Sequence, residues 1–522
     1  MRLPAELRAA SLVDDHPDSM RRLRRLVVAL AITGRLTEKR GSTEASNELV
    51  RQLDARHQQL VTDGKLTRAP VLRPVAANNL PEATPAGPLY LRLGDVAQIE
   101  KGRTGISSAL PGPYPLVVTA QDRASCDHFD FEAAAAIVPL VSSAGHGKAS
   151  LQRLHYQDGK FALGSILAAV IPRAPELLSA RFIYEYLTTF KDELLVARMI
   201  GTANVTLSVG KLADVPIPII STDAQVRVHE LMAQCDRMEA IRVEREAARD
   251  RLTKACLSRL ASSDAASSTD DVSNFLDCLP VLTARSDQIR GLRDAVLRMA
   301  FTGRFSAAAD WPPKPRRFGE VAQLQSGYAF KSEWFAPRGI RLLRNVNVAP
   351  GRLNWADQAF LPEEAVTKFE RFRLETGDIV LSLNRPFIST GTKVTMIQES
   401  DLPALLVQRV ARLRLVDALM PQYLLLWLQS SMFQEQVQPV STNVAPHIAP
   451  SDIESATLLV PSMDEQQRLV RLTSKLLSLC QQLEHELSHT GECRQRLLDA
   501  VFQKQIEQAA ATRCPAFSPT AA

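Results

Sequence analysis

Few groups of residues in this 522-residue chain have the types and spacing that catalysis needs. Asn384-Arg385-Pro386-Phe387 has the outline of the [NDS]PP[YFW] motif of adenine methyltransferases, but arginine replaces the first proline and no glycine-rich cofactor motif precedes it. It reads better as a loop exposing Asn384 and Arg385, since asparagine and arginine carry the donors and acceptors that read adenine and guanine edges. His146 stands between two glycines in SSAGHGKAS, with no nucleophile or carboxylate at an informative spacing. That segment is expected to be a contact loop whose Ser142, Ser143, His146 and Lys148 reach phosphate or base. No PD-(D/E)xK arrangement and no GxxxxGK[ST] loop stands out. The seven cysteines are scattered, odd in number and never spaced as CxxC, which speaks against a disulfide framework and against a zinc site. No catalytic residue and no metal site is therefore expected, and a reducing cytoplasm is the simplest compartment.

Further polar candidates lie in the second half. Arg338, Arg341, Arg344, Asn345 and Asn347 follow an aromatic patch of Tyr328, Phe330, Trp334 and Phe335. Residues 316–420 hold fifteen Lys/Arg against eleven Asp/Glu, whereas residues 89–181 hold nine against eight. The clearer electrostatic footprint for a polyanion thus belongs to the second stretch, where Lys393 adds a cation. The alternative for any one arginine there is a solvated loop with salt bridges. Thr202 and Asn204, with Thr442 and Asn443, are loop candidates in equivalent places. Arg21, Arg22, Arg24 and Arg25 leave three options open: phosphate, a partner subunit, or water.

The elements that must position these residues are repeated. MRRLRRLVVALAITGRL at residues 20–36 recurs as IRGLRDAVLRMAFTGRF at 289–305, with eight of seventeen positions identical. GDVAQIEKG (94–102) matches GEVAQLQSG (319–327) in five of nine, and STDAQVR (221–227) matches SMDEQQR (462–468). Three pairs in the same order make this a tandem duplication. Gly34 and Gly303 are expected to take left-handed C-cap conformations at the ends of the two repeated helices. Leu469, Leu472, Leu476, Leu479 and Leu483 follow a 3-4-3-4 spacing, a coiled-coil seam. Its counterpart in the first copy runs through Val228, Leu231, Cys235 and Met238, while Leu23, Val27, Leu292 and Val296 supply the same rhythm in the repeated helix.

The length exceeds one core, and 45% hydrophobic with 23% charged residues is ordinary for a globular protein. A net charge of +5 is too small to argue for nucleic acid without local patches. The longest N-terminal apolar run, Leu26 to Ile32, is neither a secretory signal nor a membrane span. The expected plan is α+β with an internal pseudo-two-fold repeat. It comprises a helical region (1–66), a linker (67–88), a first globular domain (89–221), a central helical region (222–305) broken by a Ser-rich stretch at 262–273, a second linker (306–315), a second globular domain (316–461), a C-terminal helix (462–508) and a tail (509–522). Strands are expected at Pro115 to Thr119, Ile137 to Val141, Ile166 to Ile171, Asp378 to Leu383 and Ala411 to Val416, and a short helix at Gln422 to Gln429.

Two variable domains, each followed by similar helices with AFTGR and DEQQR landmarks, resemble the specificity subunit of type I restriction-modification systems. The resemblance covers nearly the whole chain, including SNELVRQLDARHQQLVTDGKL (46–66), both GxVAQ entrances and LETGDIVLS (374–382). It implies two target-recognition domains, each reading half of a bipartite site in double-stranded DNA, and an antiparallel coiled coil that separates them and docks the partners. It also implies no catalysis in the chain itself. Methyltransferase (M) subunits, two of them, would use S-adenosylmethionine, and restriction/translocase (R) subunits would use ATP and Mg²⁺. The first domain departs from the pattern, with DGKFALGSILAAV (158–170) where LETGDIVLS is sought. The alternative reading is a non-catalytic coiled-coil scaffold whose domains bind protein.

Overall fold

The computed structural model describes residues 18–36, 43–76, 80, 89–144, 147–261, 283–306, 308, 311–416, 419–438 and 446–511. The described residues up to 244 and from 491 onward form one compact unit and those from 245 to 490 the other, the boundary falling inside both long helices. The Ser-rich stretch at 262–273 lies outside the described residues.

Unit 1 begins with helices α1 (Ser19–Ile32) and α2 (Thr43–Thr62). Met20, Leu23, Leu26, Val27 and Leu30 share one face of α1 and are buried, as helical spacing dictates. Gly34 stops the helix at φ 70°, letting the Arg35 N–H reach the Leu30 carbonyl at 2.8 Å. The domain follows as β1 (Tyr90–Arg92), α3 (Leu93–Val96), β2 (Ala97–Lys101), β3 (Tyr114–Val117), β4 (Ala124–Cys126), β5 (Phe131–Glu132), β6 (Ala135–Pro139), β7 (His155–Gln157), β8 (Lys160–Leu163), β9 (Leu167–Pro172), α4 (Ala180–Thr189), α5 (Lys191–Leu194), α6 (Val209–Ala213) and β10 (Pro216–Pro218). Two four-stranded sheets, β2-β9-β6-β7 and β4-β3-β8-β5, form its body, and the entrance strand β1 pairs antiparallel with the exit strand β10. The chain then enters α7 (Thr222–Ala261).

Unit 2 repeats this plan. Helix α8 (Ser286–Phe301) precedes β11 (Pro315–Arg317), α9 (Phe318–Val321), β12 (Ala322–Ser326), β13 (Ile340–Leu343), β14 (Val348–Ala349), β15 (Arg352–Leu353), β16 (Phe360–Leu361), β17 (Ile379–Ser382), β18 (Phe387–Ile388), β19 (Gly391–Thr392), β20 (Val394–Met396), β21 (Ala404–Leu406), β22 (Val410–Leu415), α10 (Pro421–Gln429), α11 (Ser431–Gln436), α12 (Pro450–Ser455), β23 (Thr457–Leu459) and the final helix α13 (Met463–Ala511). Sheet β12-β22-β17-β20 matches β2-β9-β6-β7 strand for strand, and β16-β13-β21 matches β4-β3-β8 with the same central parallel pair. The β11–β23 pair again joins entrance to exit.

The repeated glycines have a steric cause. A Cβ on Gly102 would lie 2.3 Å from the Gly164 carbonyl oxygen, and one on Gly327 2.3 Å from that of Val407. The end of each GxVAQ strand therefore crosses another backbone too closely for any side chain. LETGD is a turn built for β17: Leu374 is buried, Gly377 takes φ 90°, and the buried Asp378 carboxylate accepts from the Glu375 N–H (2.9 Å) and from Arg414 Nε (2.8 Å). Because β17 corresponds to β6, the equivalent place in the first domain is the approach to Ala135. DGKFALGSILAAV is instead β8 and β9, a correction that only sheet order reveals.

The seam also needs correcting. Leu469 is buried, but the stripe continues through Thr473 and Cys480, with Leu472, Leu476 and Leu483 at its margins and Leu479 47% exposed. A 3.6-residue helix drifts off a strict heptad unless a partner supercoils with it. In α7, Val228, Leu231 and Cys235 are buried and Met238 packs at the edge; in α8, Val296 is buried and Leu292 half-buried.

Candidate nucleic-acid interface

Each domain presents a pair of loops at the end of its central strand, held by equivalent backbone bonds. In unit 1, Val141 bridges Thr206, the Ser142 N–H donates to the Val205 carbonyl (2.9 Å), and the Leu207 N–H donates to that of Leu140 (2.8 Å). In unit 2, Asn384 bridges His447, the Arg385 N–H donates to the Pro446 carbonyl (2.7 Å), and the Ile448 N–H donates to that of Leu383 (3.0 Å). The two contact loops expected from sequence thus occupy the same place in the two copies.

Within unit 1, the Ser142 hydroxyl accepts from the N–H groups of Ala144 (3.2 Å) and Ser150 (3.1 Å) and donates to the Lys148 carbonyl (2.6 Å). The Ser143 hydroxyl donates to the Ser150 carbonyl at 3.2 Å. Both serines shape the loop, and the exposed groups they offer outward are Lys148 and, on the adjoining loop, Thr202 and Asn204. Gly201 must be glycine there, at φ 136°, because a Cβ would meet the Asn204 carbonyl oxygen at 2.1 Å. His146, Thr442 and Asn443 lie outside the described residues.

In unit 2 three cations gather around Asn384. Arg385 follows it, exposed, at φ 44°. Lys393 is half-buried, its ammonium donating to the Asn345 carbonyl and its backbone N–H to that of Pro386 (2.7 Å). Burial, and then the Arg385 charge, push its pKa below the usual lysine range. Arg409, which sequence reasoning missed, is exposed at φ 68°, its carbonyl accepting from the Leu383 N–H at 2.8 Å. Among the described residues, none of these three cations has a carboxylate at salt-bridge distance, and Arg385 and Arg409 are the non-glycine residues with positive φ. Strained backbone of this kind concentrates at functional sites. Nothing local marks Arg409: its neighbours in sequence, VQRV, carry no turn signal, and only the pairing of β17 with β22 brings it opposite Leu383, two residues before Arg385.

The arginine-asparagine cluster after the aromatic patch is largely internal. Asn347 is fully buried, its amide donating to the carbonyls of Asn354 (3.0 Å) and Asp357 (2.7 Å) while its oxygen accepts from the Arg344 N–H (3.0 Å). It cannot touch a base, contrary to the sequence expectation. Arg344 pairs with Asp357 at 2.8 Å. Arg341 stacks on Trp355 at 4.9 Å and donates to the carbonyls of Ser400 and Leu402. Asn345 contributes its carbonyl to Lys393. These four position the β13–β14 turn; polar residues in turns satisfy backbone as readily as they meet ligands.

The basic stripe of α1 resolves the same way. Arg21 pairs with Asp192 (3.2 Å), Arg22 with Asp499, Arg24 with Asp236 (2.8 Å) and Glu239 (2.6 Å), and Arg25 with Glu193 (2.5 Å). Its charges fasten the repeated helix to its own unit.

Duplicated α+β domains, each with a paired loop at the end of its central strand and each joined to a long helix, define a two-domain repeat fold. The chain is similar along nearly its whole length to type I restriction enzyme specificity subunits: it is 26% identical over 93% of its residues, and 94% of the relative's, to the EcoAI specificity subunit of Escherichia coli. It is 28% identical to the MjaVIII specificity subunit of Methanocaldococcus jannaschii over 36% of this chain and 44% of that one. Its fold is shared, at a TM-score of 0.51 and 16% identity, with a chain from a solved type I R-M system, covering 80% of this chain and 97% of that one. No family model matches the chain. No helix among the described residues is long and apolar enough to cross a membrane.

Proposed function

We infer that this chain is the DNA-specificity subunit of a type I restriction-modification complex and is itself non-catalytic. The whole-length similarity to a specificity subunit, in which both repeats take part, carries the reading. Each domain reads one half of a split double-stranded site through its loop pair: Lys148 and Asn204 in the first, Asn384, Arg385, Lys393 and Arg409 in the second. Arginine and asparagine supply base-edge recognition and the unpaired cations supply phosphate attraction. The length of α7 and α13, at about 1.5 Å per residue, sets the unread spacer. Exposed Ile241, Val243, Leu252, Leu479 and Leu497 give these helices apolar surface for two modification subunits. S-adenosylmethionine, ATP and Mg²⁺ belong to the modification and restriction partners.

Selection from randomised duplexes by the assembled methyltransferase complex tests this. Enrichment of two short conserved blocks separated by a constant number of free positions is expected. Enrichment of no sequence would leave only a protein scaffold.

A further inference from the structure

The second sheets of the two domains are closed in different ways. In unit 2, β16-β13-β21 is backed by Phe330, Leu342, Leu361 and Leu405, with Tyr328, Trp334 and Phe369 packed around them. Its counterpart in unit 1, β4-β3-β8, has among the described residues the smaller buried set Leu116, Val118, Cys126 and Ala162, with Ala109 packed against it and the Tyr114–Phe129 ring pair (5.1 Å) nearby. Buried apolar area scales with side-chain size, so this smaller cluster holds that face of the sheet less firmly.

At that edge three metal-ligating atoms converge, all within 4.8 Å of one another. Cys126 Sγ lies 3.4 Å from His128 Nδ1 and 3.7 Å from Asp127 Oδ1, and the latter two are 2.8 Å apart. A tetrahedral ion with bonds of about 2.3 Å to sulfur and about 2.0–2.1 Å to nitrogen and oxygen separates such ligands by roughly 3.3–3.6 Å. The triangle would need to open by a few tenths of an ångström. The other ring nitrogen of His128 lies 3.2 Å from the Thr104 hydroxyl, which donates to Asp130 Oδ2 at 2.9 Å. That carboxylate is itself fixed by the Leu163 N–H at 2.8 Å. A hydroxyl–carboxylate chain behind a histidine is how proteins orient metal-bound imidazoles. Thr104 bridges Gly164 where, in the other domain, Tyr328 bridges Val407 and founds the aromatic cluster. Cys126 is buried while Asp127 and His128 are exposed, giving an ion a path inward.

We propose that Cys126, Asp127 and His128 hold a divalent cation of the zinc class, with water completing its coordination, which ties the β4 edge of the first domain where the second relies on aromatic packing. Thiolate and imidazole select zinc over magnesium or calcium. Binding releases the Cys126 proton to solvent, with no change of oxidation state. The C-D-H run escaped the cysteine count because its donors are adjacent in sequence and converge only at the end of β4.

The test is a cobalt(II) titration of the purified full-length chain after treatment with chelator. One equivalent should produce a thiolate-to-cobalt charge-transfer band that zinc erases and magnesium does not. Cys126→Ser should abolish the band, and Thr104→Val should weaken cobalt affinity by about tenfold or more. Absence of the band from folded wild-type chain, or its persistence in Cys126→Ser, would overturn the proposal. So would unchanged affinity in His128→Ala, whose exposed ring can be removed without opening the core.

Discussion

Arg385 and Arg409 occupy left-handed backbone that costs a non-glycine residue on the order of 1–3 kcal/mol, and neither spends its charge on a neighbouring carboxylate. Arg385→Ala should weaken recognition of one half-site by about 1–3 kcal/mol, or reduce the salt dependence of binding by about one ion if its partner is a phosphate. Fluorescence titrations of the assembled complex at several salt concentrations distinguish the two. Asn347→Ala should behave oppositely, leaving its partners unpaired and lowering stability by about 1–3 kcal/mol without altering the bases read; thermal unfolding of the free chain reads this. His155 supplies a pH test. Burial first, then Arg123 and Arg153, lower its pKa to about 4, and Arg123 donates to its Nδ1 at 3.0 Å. A base with a depressed folded pKa stays neutral in the native state, so its unfolded form takes up protons first. Stability should therefore fall as pH drops from about 6.5 to about 4, by at most about 3 kcal/mol, and His155→Gln should flatten that part of the profile. A residue's chemistry was legible in the sequence, but not whether it faces outward. Arg385 and Lys148 could be named, while Asn347 and Arg341 look the same in sequence and turn inward.

Among the elements, the repeated helices were legible because their landmarks answer local geometry. Gly303 shows this twice over: it sits at φ 87°, and a Cβ would come within 1.9 Å of Trp311 Nε1. Gly303→Ala should destabilise unit 2 by more than the roughly 1 kcal/mol expected of Gly64→Ala, which has φ 71° and open space. Calorimetry of the two variants compares them directly. The heptad reading of α13 failed at Leu479, since leucine spacing marks a stripe without saying which neighbour covers it. Leu469→Ala should cost about 2–5 kcal/mol in stability. Leu479→Ala should cost little in the free chain and be felt in assembly with the modification subunit, as measured by sedimentation.

At the scale of the whole chain, duplication was legible from three sequence pairs, whereas correspondence between the variable domains was not. Strand equivalence such as β17 with β6 resides in pairing order, which leaves no mark on residues free to diverge. If the loops read the bases and the helices set the spacing, changes to one should leave the other untouched. Four residues inserted into α7, with four inserted into α13, should lengthen the spacer and leave both half-sites unchanged. The central claim is met most directly by mapping every N6-methyladenine in a methylation-free host that expresses this chain with its modification partner, beside a second host carrying Arg385→Ala. One split motif is predicted, with the variant relaxed in a single half. A continuous motif, or equal loss in both halves of the variant, would contradict the division of labour between the two domains.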